Sequence, residues 1–156
     1  MVFNASAGAL WAQLWWLGGL MVLAGGYWFW FFIRVDVAAE GGQPGVSIYR
    51  AEARPWPLPI GMLERHPLGS QLFMPLSGER FLVVVAPAAA VPDRAAVRAF
   101  VTNGHQGVNY RRGTWHHPLI ALAGPGEFLV IDRAGPGSNC DEFQFGDAGI
   151  ELQRPG

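Results

Sequence analysis

From residue 34 onward, short runs of β-branched and aromatic residues are broken again and again by glycine and proline, and this punctuation constrains the fold more than any other feature. Residues 35–37 and 46–50 (VSIYR) read as two strands around a Gly-Gly-Gln-Pro-Gly turn. Pro55, Pro57 and Pro59 make 54–59 an extended connector. Further strands are expected over 60–66, 71–75, 80–86, 107–110, 119–123, 128–132, 142–145 and 149–153. The run 80–86 (RFLVVVA) has the continuous apolar character of a strand buried on both faces. Residues 93–101 can form one short helix capped by Asp93, in competition with a strand through Phe100 and Val101. Asn103-Gly104 is the strongest hairpin signal, because both residues accept the positive φ of a type I′ turn. Many short strands with at most one short helix predict an all-β sandwich or barrel, and the regular turns favour a jelly roll over an open sheet.

The N-terminal part, residues 1–34, is a different kind of sequence. No charged side chain occurs before Arg34, and 14–33 are apolar or glycine throughout. A helix of ~20 apolar residues is long enough to span a bilayer, so membrane contact through 8–33 is one expectation. Trp11, Trp15 and Trp16 at one end and Tyr27, Trp28 and Trp30 at the other loosely resemble interfacial belts. A secretory signal fits less well, because no Lys or Arg precedes the apolar stretch. The other expectation is a misassigned start joined to a soluble enzyme. The remainder, 35–156, is long enough for one domain with a single core.

Charge and cysteine content exclude other classes. Eleven Lys and Arg are set against twelve Asp and Glu, with no basic cluster beyond Arg111-Arg112, so nucleic acid is excluded as an expected partner. The single cysteine, Cys140, has no internal disulfide partner, and it reads as a small packing residue rather than a nucleophile.

Three of the four histidines fall in two segments, 64–78 (ERHPLGSQLFMPLSG) and 107–119 (GVNYRRGTWHHPL). Glu64 and His66 are two apart on an expected strand, so their side chains leave the same face. With Gln71 and Gly78 they resemble the first cupin motif, H-x-H-x4-E-x6-G, with Glu64 in the first histidine's place and Gln71 in the glutamate's. Arg111-x-Gly113-x2-His116 resembles the end of the second motif, P-x-G-x2-H. The alignment selects His116 as inward ligand. Alternation along a strand sends His117 to the other face unless a bulge intervenes. Two imidazoles with oxygen donors suit nickel, manganese, iron or zinc. Spacing alone leaves open both a metal site and a hydrogen-bonded polar barrel mouth.

The strings ERHPLGSQLFMPL, FLVVVA, RAFVTNGHQGVNYRRGTWHHPL and FLVIDRAGPGSNCDE, in that order, resemble the ureidoglycolate lyase family of allantoin degradation over roughly 35–142. The resemblance implies a cytoplasmic, cupin-type β-barrel homodimer that converts (S)-ureidoglycolate to glyoxylate and urea with a divalent metal, nickel for the family. Before about residue 35 such proteins carry a polar segment where this chain has its apolar run. The expected site then comprises His66, Gln71 and His116 as metal ligands and Glu64 or His117 as proton carriers. Arg112, Arg133 and Tyr110 are its candidate substrate contacts. Two alternatives accompany this expectation: a non-catalytic, membrane-anchored cupin that binds a small carboxylate such as glyoxylate, and a lyase made defective by its altered N-terminus.

Overall fold

A computed structural model describes residues 20–23, 26–29, 33–146 and 149–155. The described part of the apolar run is not helical: β1 (Leu20–Leu23) and β2 (Gly26–Phe29) pair as antiparallel strands, Leu20 opposite Phe29. Val, Tyr, Trp and Phe favour strand, and glycine disfavours helix, so local propensity runs against the membrane-spanning helix expected here. Among the described residues no helix is long and apolar enough to cross a membrane. The rest of that expectation lies outside the described residues.

The body of the protein is two facing antiparallel sheets. One consists of β3 (Gln43–Ala51), β12 (Gly126–Ala134), β6 (Gln71–Pro75) and β9 (Val108–Tyr110), in that spatial order. The other runs β11 (Ile120–Ala121), β7 (Phe81–Ala86), β10 (Trp115–His116), β5 (Met62–Arg65) and β13 (Asp141–Gln144), with β8 (Arg98–Val101) also paired to β7. A separate pair joins β4 (Leu58–Ile60) to β14 (Ile150–Leu152). This is the all-β, jelly-roll-like layering expected, but the pairings among the described residues do not close it into a barrel.

The core explains why 81–86 is apolar without interruption. Phe81 and Val83 pack between the sheets with Phe73, Val108, Tyr110, Phe128 and Val130. Leu82, Val84 and Ala86 face the opposite way, onto Leu58, Ile60, Leu63, Trp115 and Ile120. β7 is thus buried on both faces.

Several local expectations shift. Residues 35–37 form no strand, and the chain enters β3 through a 3-10 turn, Ala39–Gly41, in which Glu40 takes φ 51°. The strand expected over 60–66 splits at Gly61 into β4 and β5. Instead of a helix over 93–101 there is a 3-10 turn, Arg94–Ala96, with the Asp93 side chain accepting from the Ala95 amide, and then β8. Asn103-Gly104 makes no hairpin, because β8 pairs with β7 while β9 pairs with β6 in the other sheet. Gly104 has φ 88° but Asn103 does not share the positive φ, and its side chain instead accepts from the His105 amide, a local turn within a crossover loop.

Candidate metal centre and active site

β10 pairs with β5 so that His116 lies directly opposite Glu64 in one sheet. The other sheet brings Gln71 from β6 and Tyr110 from β9, themselves paired across the strands, to the same place. His116 Nε2 is 3.1 Å from Gln71 Oε1 and 3.5 Å from Glu64 Oε1, and the Tyr110 ring stacks on the imidazole at 4.0 Å. His66, one residue beyond β5, places its ring 5.2 Å from that of His116 and its Nε2 4.0 Å from Glu64 Oε1. The four expected inward residues therefore meet in the gap between the sheets.

The outer ring nitrogens fix what this arrangement can do. His66 Nδ1 lies 2.6 Å from the Asn139 carbonyl, and His116 Nδ1 lies 3.0 Å from the Thr114 carbonyl. A carbonyl only accepts, so each Nδ1 carries the hydrogen, and in the neutral rings each Nε2 presents a lone pair. Those lone pairs face Glu64 and Gln71 oxygens, so four acceptors converge on one another. With the Gln71 amide oxygen turned to His116, such a set suits a cation, either a proton on an imidazole or a metal ion. His66 Nε2 is moreover buried without a hydrogen-bond partner, and the donor atoms of Glu64, His66 and His116 all lie within 4.8 Å of one another. Two nitrogens and two oxygens with the outer nitrogens anchored fit a divalent transition metal.

Burial by itself raises the pKa of Glu64, but the hydrogen bond and charge of His116, with the charges of His66 and His117, outweigh it and hold the carboxyl below its ordinary range. Burial holds the His117 imidazole low, and its Nδ1 donates to the Pro118 carbonyl at 2.9 Å. Burial pushes the Tyr110 phenol far up, with Glu64 adding to the effect.

His117 owes its position to a bulge. Val85 pairs with His116 and Leu82 with Ile120, so three steps along β7 are matched by four on the facing segment. The His117 amide still donates to the Val84 carbonyl, and both histidines are buried, His117 within electrostatic reach of Glu64.

Both candidate arginines are engaged with backbone carbonyls. Arg112 is exposed and its Nε donates to the Pro67 carbonyl. Arg133, expected as a carboxylate contact, is buried, and its Nε and Nη2 donate to the Ala39, Glu40 and Pro136 carbonyls. Cys140 is exposed rather than packed, with Sγ 3.9 Å from Glu64 Oε2. Sequence reasoning missed Asn139. Its backbone carbonyl orients His66, and its side chain accepts from the Leu68 amide at 2.8 Å, a contact across 71 residues that no local pattern announces.

A family model described as ureidoglycolate lyase matches residues 31–152. The chain is 58% identical over 121 residues to a ureidoglycolate lyase of Pseudomonas syringae pv. syringae, covering 78% of this chain and 71% of that one. It is 57% identical over 123 residues to a ureidoglycolate lyase of Azotobacter vinelandii, covering 78% and 74%. Among solved structures, a dTDP-6-deoxy-D-glucose-3,5-epimerase of Legionella pneumophila aligns at 15% identity and a TM-score of 0.47, over 83% of this chain and 71% of its own.

Proposed function

Because the chain belongs to the ureidoglycolate lyase family, we propose that its 35–156 domain cleaves (S)-ureidoglycolate to glyoxylate and urea, at a divalent metal held by Glu64, His66, Gln71 and His116. The observation that carries this reading is the convergence of two anchored imidazoles and two oxygens around the buried, unpartnered His66 Nε2. Nickel is the metal the family resemblance favours.

The substrate bears a carboxylate and a hydroxyl on the carbon that carries the ureido nitrogen. Cleavage removes the hydroxyl proton, forms the C=O bond, breaks the C–N bond and returns a proton to the departing nitrogen; no water is consumed. When bound, the ion supplies Lewis acidity to the hydroxyl and carboxylate oxygens, which lowers the hydroxyl pKa. Glu64 stands among the ligand atoms, which makes it a poor free base. The proton falls to His117: burial keeps its ring neutral near pH 7, and with Nδ1 committed to Pro118, Nε2 is the atom that takes and returns it. Tyr110 holds the His116 ring in plane by stacking, so its role is orientation of a ligand.

The homodimer that the resemblance implies draws support from β3, which exposes Val46 and Ile48 side by side on one face; the cytoplasmic location rests on the resemblance alone. The test of function is release of urea and glyoxylate from (S)-ureidoglycolate by the full chain supplied with Ni²⁺ or Mn²⁺. Turnover that chelation abolishes and metal restores is expected; no release with either metal sinks the reading.

A further inference from the structure

The proposed site accounts for one end of the substrate only. Its ligand atoms, the two Nε2 atoms and the Glu64 and Gln71 oxygens, are acceptors gathered for a cation that takes the α-hydroxy-acid end. The ureido end, –NH–CO–NH2, offers N–H donors and needs acceptors of its own.

β12 supplies one. Phe128 and Val130 of this strand point into the core between the sheets, and Val130 pairs with Phe73 of β6. Strand alternation puts Asp132 on that same inward face, and the register, carried one step past its last paired rung at Ile131 and Leu72, sets Asp132 beside Gln71. On its other side Asp132 pairs with Gly45 of β3, which has no side chain; a Cβ there would come within 3.1 Å of Asp132 Oδ1. The inward row is therefore Gly45, Asp132, Gln71, Tyr110, with Gly45 leaving the Asp132 carboxylate uncovered by a side chain at the β3 end. Asp132 is half-buried, and among the described residues no hydrogen bond or ion pair engages its carboxylate. Its neighbour Arg133 donates through Nε and Nη2 to carbonyls of the Ala39–Gly41 turn and the Pro136 loop, its buried Nη1 has no hydrogen-bond partner, and among the described residues no ion pair joins it to Asp132. Tyr49, on the inward face of β3, packs edge-to-face against Phe73 of β6, and the charges of both Asp132 and Glu64 reach its phenol.

We infer that Asp132 is the specificity-determining residue for the ureido group, accepting its N–H hydrogens while the metal cluster takes the carboxylate and hydroxyl. An ionised carboxylate is acceptor-only and two-pronged, which suits adjacent N–H donors and repels a second carboxylate. This fixes the substrate's direction in the site and sets the C–N bond between the two anchors. The inference rests on the reaction proposed above.

Equilibrium binding separates the two claims. Ureidoacetate has the ureido group and carboxylate but no hydroxyl, so it cannot be cleaved; glycolate has the carboxylate and hydroxyl but no ureido group. Both are titrated calorimetrically into the Ni²⁺-loaded full chain and its Asp132→Asn variant. The expected result is a loss of about 10- to 100-fold in ureidoacetate affinity with glycolate affinity unchanged, the glycolate arm showing that the variant site is intact. Equal loss for both ligands, no loss for either, or failure of the parent protein to bind ureidoacetate overturns the inference. Absence of turnover by the parent protein with selective ureidoacetate loss retained overturns the reaction and leaves Asp132 as a ureido-binding residue.

Discussion

His66 and His116 show how little of a ligand's competence resides in the ligand itself. Each ring is set by a carbonyl on its Nδ1, and the Asn139 carbonyl is held in turn by a loop whose Asn139 side chain accepts from Leu68. Asn139→Ala removes that brace while sparing the carbonyl; metal affinity is expected to fall about 10- to 100-fold by competition with a chromogenic chelator. His116→Ala removes a ligand, and bound metal measured by elemental analysis should drop well below one equivalent per chain. His117→Ala is expected to keep its metal and to lose kcat by about 10²- to 10⁴-fold, the size of a general acid-base contribution; unchanged turnover removes His117 from the mechanism. Glu64 is a titrating group whose folded pKa lies below its ordinary 4.5. It therefore contributes stability that is present above that value and lost as pH falls through the folded pKa. In metal-free protein, acid unfolding should be shallower for Glu64→Gln than for the parent, checked by circular dichroism below about pH 5. The pairing of His66 with His116 was legible, because motif spacing and strand alternation both select them. The division between Asp132 and Arg133 was not: β12 reads FLVIDR, apolar on both sides, so alternation could not say which of the two turns inward.

At the scale of elements, the sequence revealed strands by their composition and lost them where pairing is decided at a distance. β7 was legible because burial on both faces leaves no polar position in it. β6 was legible because Pro67-Leu68-Gly69 and Ser77-Gly78 bound it closely. The Asn103-Gly104 turn was misleading, since its local chemistry suits a hairpin but the strands it joins belong to different sheets. The bulge at 117–119 was open in the sequence, because only the register against β7 shows the extra residue. Phe81 and Phe128 join the two sheets in an edge-to-face contact at 5.3 Å, both fully buried. Phe128→Ala is expected to cost about 3–5 kcal/mol in urea unfolding, through lost burial and the cavity left between the layers. A cost under about 1 kcal/mol would mean that the sheets do not share this core.

For the whole molecule, the strand that ends the first sheet carries the argument. β3 is nine residues long and pairs only with β12 among the described residues, so its other edge offers unpaired amides and carbonyls to another chain. On its outward face Val46 is 68% exposed and Ile48 50% exposed, and the pairing sets them beside Ile131 and Leu129 of β12. A long edge strand with contiguous apolar side chains is a surface that self-association covers. Their distance from the metal cluster in sequence and face makes the effect separable from chemistry: Val46 and Ile48 alternate with the inward Ser47 and Tyr49 and so point away from the site. Replacing both by lysine places like charges where the two copies of the proposed homodimer would meet, and sedimentation equilibrium is expected to show a dimer for the parent chain and a monomer for the variant, with metal content unchanged. A double variant that stays dimeric would place the subunit contact on another face and leave this edge to be covered by something else.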